Sequence, residues 1–468
     1  MKRNRNTNMK KIALVLILSL FVLTGCEEKE PPIPTISGNL KVWVSENGDF
    51  WEALGREFAS VFGSSSLKVT VVQFENEKEL QSTLLNNLAE AKGPDIIFTN
   101  TDWIAHNNGK LIPLQNDESL TPEKFQQFFV PSSVETLIKE QDIWGVPIAV
   151  DTLAVIYNAG HFAEVFDEGT ELGETWEEFR DQVEALNIRN KSFQRFARAG
   201  VAMGRGDNII RGTETCLNLF VQLVGELFSP DGTEAIFAEN KGVTATGERV
   251  DFALQSLKFF LGFAKESVSY HSWNELLADS ESKDKDFEAF VKGDVSMVFA
   301  TARDLKYIES LFEKMSDTIP QNNLQVGFLP QFEAIKDGVS REVMASVSGL
   351  AVVASSRNPH LSWQFLKFAL QTENLHGFFT STGVPSAHQQ LLVQEESGAN
   401  TDIFVRQAKV AKAHLFPLPR TEVLEAFHTL IGRIHDNKAT PGEGLLQTDE
   451  ALTNKIQRNQ TLLQTLSQ

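Results

Sequence analysis

The stretch Ile143–Tyr157, which reads IWGVPIAVDTLAVIY, decides the fold of this chain because it is a long, extended and almost wholly apolar run. It divides into two strand-like pieces around a single carboxylate, Asp151. Strands that are buried on both faces read as near-continuous apolar runs of this kind. A carboxylate inside such a run needs partners, because burying a charge alone is costly. We therefore predict two consecutive buried strands with Asp151 between them.

Upstream of this run, strand and helix patterns alternate. Short strands rich in valine and isoleucine are predicted at 40–44, 67–74 and 96–98, and amphipathic helices at 50–62 and 79–88. Buried strands that alternate with helices indicate a parallel sheet covered on both faces, which places the chain in the α/β class. In such sheets ligands bind beyond the carboxyl ends of the strands.

Downstream of the run, helical patterns predominate. Thr175 and Glu178 form the capping box of a helix that is predicted over 175–186. The remaining patterns predict helices at 213–228, 247–266, 284–292 and 361–370, and strands at 294–300, 325–332 and 347–355. The sequence contains no internal repeat, and the last hundred residues read as mostly helical.

Composition indicates an acidic globular protein with more than one core. The chain has 468 residues, 42% of them hydrophobic, and a formal net charge of −19. A chain of this length is too long for one hydrophobic core, so two lobes are expected. The acidic surface argues against nucleic acid as a partner, because such binding depends on basic patches.

The cysteines and histidines predict neither a disulfide nor a metal site. Apart from Cys26 near the N-terminus, the chain has only Cys216, which lies in an apolar stretch and is expected to be a small buried residue. The nine histidines are scattered without a pair at metal-ligand spacing. No phosphate-binding, zinc-protease or serine-hydrolase motif is present, so we predict no cofactor and no catalytic residue.

The first residues predict export from the cell. A basic start is followed by an apolar run over 12–22, which is shorter than the roughly 20 residues that a membrane-spanning helix needs. We therefore expect a signal peptide at 1–25. Leu23-Thr24-Gly25-Cys26 resembles a bacterial lipobox, which implies acylation of Cys26. Residues 26–37, rich in charge and proline, are expected to be a lipidated tether that holds the chain at the outer face of the cell membrane or in the periplasm.

Four further segments resemble a known family by their order and spacing. They are Gly93–Phe98, Gly145–Asn158, Gly293–Phe299, and Val347–Val352 followed by Trp363–Phe368. Over residues 38–435 the chain resembles the extracellular solute-binding proteins of the carbohydrate-uptake type that serve ABC importers, the maltose-binding-like group.

The resemblance implies a type II periplasmic-binding-protein-like fold, in which two discontinuous α/β lobes are joined by hinge strands around a ligand cleft. The N-terminal lobe is expected over 38–148 plus 321–348, and the C-terminal lobe over 149–320 plus 349–468. The resemblance also implies that the chain is not an enzyme. It implies a monomer that binds a sugar or oligosaccharide and delivers it to the permease subunits of an ABC importer.

Candidate ligand residues follow the first and third predicted strands. Glu46 and Asn47 offer hydrogen-bond partners to sugar hydroxyls, or belong to an ordinary polar loop. Asn100, Asp102 and Trp103 follow the third strand, where ligands of such sheets bind. Asp102 resembles the ligand carboxylate of the family, with helix capping as the alternative. Trp103 supplies a flat apolar face for a sugar, or packs under the loop.

A second group of candidates lies at the hinge and after a later strand. Asp151 matches a cleft acid of the family, with a structural hinge bond as the alternative. Thr301 and Arg303 follow the strand that ends at Ala300, and Arg303 stands near the place where the family often has an aromatic residue. An arginine there could bind several hydroxyls or, through its fork, a carboxylate, so an acidic sugar is a possible ligand. The remaining candidates are Trp273, as a stacking ring or a packed core residue, and Ser348 and Gly349 at the third hinge crossing.

Two other functions stay open at this point. A lipid-anchored glycan-active enzyme would use Asp102 and Asp151 as a carboxylate pair. A ligand-sensing partner of a membrane receptor would use the same fold without transport. Within the binding class, a polyamine is compatible with the cleft carboxylates, whereas iron would need a cluster of tyrosines and the chain has three in all.

Overall fold

The computed structural model describes residues 36–62, 66–90, 92–115, 117–189, 196–239, 241–243, 249–273, 285–332, 341–396 and 400–466. The predicted signal peptide, Cys26 and most of the predicted tether lie outside these residues. Among the described residues, no helix combines the length and the apolarity that crossing a bilayer requires.

The strands of the described residues form two five-stranded sheets and two short antiparallel pairs. In chain order they are β1 Gly38–Val44, β2 Leu67–Gln73, β3 Ile96–Asn100, β4 Ile138–Lys139, β5 Asp142–Ile143, β6 Val146–Thr152, β7 Ala154–Asn158, β8 Ile188–Arg189, β9 Phe196–Val201, β10 Lys241–Val243, β11 Arg249–Asp251, β12 Val295–Ala300, β13 Leu324–Gly327 and β14 Ala345–Val352.

Helices cover both sheets. In chain order they are α1 Gly48–Val61, α2 Glu77–Ala89, α3 Thr101–His106, α4 Pro122–Phe128, α5 Pro131–Leu137, α6 Ala159–Val165, α7 Trp176–Leu186, α8 Gly212–Leu223, α9 Phe252–Gly262, α10 Lys285–Lys292, α11 Ala302–Lys314, α12 Pro359–Ala369, α13 Thr372–Thr382, α14 Gln389–Glu395, α15 Asp402–Ala408, α16 Arg420–His435 and α17 Pro441–Leu466. The predicted capping box of α7 is confirmed, because Thr175 and Glu178 exchange their backbone and side-chain hydrogen bonds.

The first sheet has the strand order β2-β1-β3-β14-β6. β1 is parallel to both β2 and β3, which confirms the parallel start that the alternating pattern predicts. β14 lies antiparallel between β3 and β6. The carboxyl ends of β1, β3 and β6 therefore lie at one edge of this sheet, where the polar residues that follow them come together.

The second sheet has the strand order β13-β7-β12-β9-β8. Its strand β7 begins at Ala154, and Leu153 alone separates it from β6 of the first sheet. The predicted pair of consecutive buried strands is thus confirmed, and its two members belong to different sheets. This short connection makes the first crossing between the lobes.

The lobe boundaries differ from those expected from the sequence. β13 pairs with β7 in the second sheet, although 321–348 was expected in the N-terminal lobe. The expected boundary after Ser348 falls inside β14, all of which pairs in the first sheet. The helices α12, α13 and α15 pack on strands of the first sheet, and α14 packs on α15, although 349–468 was expected in the C-terminal lobe. An amphipathic pattern shows that a helix covers a core and does not identify which core.

The packing of α12 on α1 is the main evidence that α12 belongs to the first lobe. The ring of Phe58 in α1 lies 5.3 Å from the ring of Phe365 in α12, edge to face, and both side chains are fully buried. The ring centroids of Trp51 and Phe98 each lie 5.7 Å from the ring centroid of Phe378 in α13. The chain then returns to the second lobe before α16, whose Val423, Phe427 and Leu430 join the other main core cluster.

Cys216 lies on α8 as a fully buried side chain and forms no disulfide within the described part of the chain. Burial raises the pKa of its thiol, because the thiolate would lose its solvation there. The prediction of an unreactive buried cysteine agrees with this environment.

We predict that Phe58→Ala and Phe365→Ala are energetically coupled. Their edge-to-face contact would give a coupling free energy of about 0.5–1.5 kcal/mol in a double-mutant cycle, measured by urea unfolding. The control pair is Phe58→Ala with Phe179→Ala, a fully buried phenylalanine of the other lobe, whose effects should add within about 0.5 kcal/mol. Strict additivity of the first pair would contradict the assignment of α12 to the first lobe.

Candidate ligand-binding site

A cavity of about 240 Å³ lies between the two lobes. The first lobe contributes residues that follow β3 and β6, and the second lobe contributes the starts of α8, α11 and α16. Of the predicted site residues, Asn100, Asp102, Trp103, Asp151, Thr301 and Arg303 line this cavity. The carboxyl ends of the strands thus meet at a common site, as the sheet pattern predicts.

Asn100 and Asp102 occupy the first turn of α3. The Asn100 side chain caps this helix by accepting a hydrogen bond from the Asp102 backbone N–H at 2.8 Å. Its amide Nδ2 donates to Ser346 Oγ at 2.9 Å. The capping role considered for Asp102 therefore falls to Asn100, which leaves the Asp102 carboxylate available for other contacts.

The Asp102 carboxylate is buried and only partly satisfied. Its Oδ2 accepts a hydrogen bond from the Arg420 backbone N–H of the second lobe at 2.9 Å. Its Oδ1 has no hydrogen-bond partner among the described residues. The His106 ring lies beside this oxygen, with its Nδ1 3.7 Å from Oδ1 and 2.8 Å from the Asp102 backbone oxygen. An oxygen in this state can still accept a hydrogen bond from a ligand.

Asp151 ends the first crossing strand and joins the two lobes. Its Oδ1 accepts hydrogen bonds from the backbone N–H groups of Thr152 at 3.0 Å and of Ala302 at 2.8 Å. Its Oδ2 lies 3.4 Å from the Arg303 backbone nitrogen and 3.6 Å from Nη1 of the same residue. Burial raises the pKa of this carboxyl, and the Arg303 guanidinium opposes the increase. Asp151 therefore makes the structural hinge bond and also lines the cavity.

Arg303 joins the lobes through an ion pair with Glu46. Its Nε lies 2.6 Å from Glu46 Oε2, and its Nη2 donates to Oε1 at 2.9 Å. Glu46 follows β1 in the first lobe, whereas Arg303 begins α11 in the second lobe. Burial raises the pKa of the Glu46 carboxyl, and the Arg303 guanidinium opposes this. Glu46 is thus the partner of a cavity residue and does not line the cavity itself.

The other predicted residues have structural roles. Thr301 lines the cavity and caps α11 in a capping box with Asp304. Trp273 is fully buried, and its Nε1 donates to Asn208 Oδ1 at 3.0 Å. It does not line the cavity, and its ring packs in a hydrophobic core. The predicted stacking role of Trp273 is therefore not supported, and the packed alternative describes its position.

Asn47, Ser348 and Gly349 also lie outside the cavity lining. Asn47 precedes α1 in a left-handed conformation with φ of 52°. Ser348 Oγ lies 3.5 Å from Arg303 Nη2, next to the Glu46 ion pair. At Gly349 a Cβ would lie 2.6 Å from the Val146 carbonyl oxygen of β6. This glycine allows the close approach of two strands.

Several cavity residues were not predicted from the sequence. Arg211 binds Asp304 through Nε at 2.6 Å and Nη2 at 2.7 Å, and binds Glu214 through Nη1 at 3.0 Å. From the first lobe, Glu77 Oε1 accepts hydrogen bonds from Thr99 Oγ1 at 2.6 Å and from the Asn100 backbone N–H at 2.5 Å. In the sequence these residues stand at the starts of predicted helices among other polar residues. Many ordinary surface residues stand in the same position, so this pattern does not identify a cavity residue.

Arg420 was likewise not predicted. Its guanidinium donates to the carbonyl oxygens of Ala345, at 2.6 Å, and Ala413. These carbonyls belong to the two later crossings, so Arg420 holds the hinge segments together at the cavity wall. The only sequence signal is its place after two prolines, Pro417 and Pro419, which marks the start of α16. No group of side chains suited to a metal ion is present among the described residues.

Comparison with known proteins identifies the family. Residues 46–375 match the family model described as bacterial extracellular solute-binding protein, and this match covers most of the chain. The chain belongs to this family. A maltotriose-binding protein from Pyrococcus abyssi is 30% identical over 112 residues, which are 24% of this chain and 24% of that relative.

Solved structures share the fold. An ABC transporter solute-binding protein from Thermotoga lettingae, bound with α-D-tagatose, has a TM-score of 0.66 at 17% identity and covers 90% of this chain and 100% of its own. The sugar-binding protein MalE from Xanthomonas citri has a TM-score of 0.71 at 15% identity and covers 91% of this chain and 99% of its own. These similarities confirm the predicted type II periplasmic-binding-protein fold with two discontinuous lobes.

We predict that Arg303→Met destabilises the protein because it leaves Glu46 and Asp151 without their shared cation. The free energy of unfolding should fall by about 1–3 kcal/mol, and adding Glu46→Gln should restore part of it. Arg180→Met removes a surface pair with Asp181 and serves as the control, with an expected change within about 0.5 kcal/mol. Equal effects of the two arginine variants in urea unfolding would show that the cross-lobe pair does not stabilise the fold.

Proposed function

We propose that this family member is the ligand-capturing lipoprotein of an ABC importer, which binds a small sugar in the interlobe cavity and delivers it to a membrane permease. The observation that carries the proposal is the cavity itself, which is lined by both lobes and by the single-residue crossing at Leu153. The tagatose-bound and MalE structures have the same fold, which supports a sugar as the ligand class.

The chemistry of the cavity suits a polyhydroxylated ligand. Sugar hydroxyls need donors and acceptors, and their C–H faces pack on aromatic rings. Asp102 Oδ1 and the Asn100 amide supply polar contacts next to each other at the start of α3, and Trp103 follows in the same helix. The cavity of about 240 Å³ lies just below the roughly 300–1,000 Å³ typical of ligand pockets, which favours a short sugar over a long oligosaccharide.

Delivery requires that the bound state differs from the free state. Ligand contacts from both lobes favour closure about the hinge, and a permease would recognise the closed arrangement. Arg303 with Glu46, and Arg420 with Asp102, form contacts between the two lobes. Opening the lobes would have to break these contacts, so they set how far the lobes open. We propose that the protein acts as a monomer with the permease subunits as its partners.

The carboxylates fit binding better than catalysis. Glycoside hydrolysis needs one carboxyl to give or take a proton while a second acts as base or nucleophile. Both Asp151 oxygens already face backbone N–H groups, which favours a fixed structural carboxylate. A role as an enzyme is therefore less consistent with the cavity than reversible binding.

The proposed anchor is a lipid on Cys26, with the mature protein at the outer face of the membrane or in the periplasm. The support is the lipobox-like Leu23–Cys26 and the tether that follows it. Two or three acyl chains would give stable anchoring, whereas one would not.

We predict that one class of sugar stabilises the mature protein in thermal unfolding. A ligand at a hundred times its dissociation constant adds about 2.7 kcal/mol to the stability. Asp102→Ala and Trp103→Ala should each weaken binding of that sugar by about 10–100-fold in calorimetry, whereas Asp167→Asn, an exposed aspartate of the second lobe, should leave it unchanged. Breakdown of the sugar during the experiment, or stabilisation by a compound of another class alone, would contradict the proposal.

We predict that Cys26→Ala abolishes incorporation of radiolabelled palmitate and releases the protein from the membrane fraction. Ser37→Ala, a change at the far end of the tether, is the matched control and should leave both properties intact. Membrane retention and labelling of the Cys26→Ala variant would exclude the proposed anchor.

A further inference from the structure

The cavity has more carboxylates than cations around it. Arg303 contacts two carboxylates, those of Glu46 and Asp151. Arg211 likewise contacts two, those of Asp304 and Glu214. Each of these clusters holds two carboxylates around one guanidinium, so when ionised it has a net negative charge.

The remaining charged groups do not restore neutrality. The guanidinium of Arg420 donates to two backbone carbonyls and balances the charge of Asp102, whose Oδ2 accepts the Arg420 backbone N–H. Glu77 lines the cavity without an ion-pair partner in the described part of the chain. Such an excess of negative charge favours a cation and disfavours an anion, because charges interact more strongly inside a protein than in water.

One carboxylate oxygen of a residue that lines the cavity lacks a hydrogen-bond partner. Asp102 is only 7% exposed and lines the cavity, and its Oδ1 accepts no hydrogen bond in the described residues. His106 Nδ1 is 3.7 Å away and His106 Nε2 contacts the Phe416 carbonyl oxygen at 3.0 Å, so this ring is held by backbone oxygens. A buried anionic oxygen without a donor is costly, and a ligand that supplies a charged N–H removes that cost.

We infer that the cavity selects a sugar with a protonated amine, and that Asp102 Oδ1 is the acceptor of its ammonium group. This inference rests on the proposed sugar-binding function and names the class of sugar. The neighbouring Asn100 amide and the Glu77 carboxylate also line the cavity, and each already makes hydrogen bonds within the protein.

The same geometry disfavours an acidic sugar. A uronate needs a guanidinium with a free fork, whereas Arg303 and Arg211 direct theirs to carboxylates of the protein. From the sequence, Arg303 made an acidic sugar a possible ligand. In the structure its guanidinium is paired with Glu46, so this reason for expecting an acidic sugar no longer applies. An N-acetylated amine loses the charge that Asp102 would bind.

The test compares matched sugars that differ only in charge. Glucosamine, N-acetylglucosamine, glucose and glucuronate, with the galacto and manno counterparts, are titrated into the mature protein at pH 6 by calorimetry. We expect an amine to bind about tenfold or more tightly than its neutral parent and its N-acetyl form, with the uronate weakest. Asp102→Asn should reduce this preference to about threefold or less while neutral sugars still bind, and Asp167→Asn should leave the preference unchanged.

The outcomes separate the inference from the function on which it rests. Tighter binding of a neutral sugar or a uronate would overturn the amine preference and leave sugar binding intact. Binding of no sugar in the panel would overturn the proposed function and the inference with it. An amine preference that persists in a folded Asp102→Asn variant would exclude Asp102 as the acceptor. If that variant does not fold, Asp102→Glu, which keeps the charge but moves the oxygens, should weaken amine binding more than glucose binding.

Discussion

The buried carboxylate of Asp151 is the constraint on which the relation between the two lobes depends. It stands at the end of β6 in the first sheet and accepts the backbone N–H of Ala302, the first residue of α11 in the second lobe. A carboxylate buried this deeply must have its partners in place. Those partners are the first backbone N–H groups of α11 and the Arg303 guanidinium, and they fix where α11 begins relative to the hinge.

The cross-lobe contacts follow from this placement. Arg303 is positioned by the turn that Asp151 holds, and it reaches Glu46 beyond the end of β1. Arg420 also links segments across the cavity. Its guanidinium donates hydrogen bonds to carbonyl oxygens of two hinge segments, and its backbone N–H donates to Asp102. The cavity is therefore built from fixed charges on rigid helix starts, an arrangement that gives a ligand preorganised partners.

The charge distribution also changes how the arginine at the cavity should be interpreted. From the sequence, Arg303 made an acidic sugar one possible ligand. In the structure its guanidinium already faces the carboxylates of Glu46 and Asp151, and Oδ1 of the nearby Asp102 has no hydrogen-bond partner among the described residues. The sign of the preferred ligand charge is thus decided by which groups of the protein pair with one another.

The sequence by itself determined the α/β class, the parallel start of the first sheet, the capped helix at Thr175 and the run around Asp151, because periodicity, capping and burial are local properties of the chain. It also placed Asn100, Asp102 and Asp151 at the strand ends that line the cavity. It did not determine to which lobe α12 belongs, that Trp273 packs into the core, or that Arg211 and Arg420 join the cavity. Those features depend on contacts between segments far apart in the chain, such as Phe58 with Phe365 and Asp102 with Arg420, and only the tertiary structure brings such segments together.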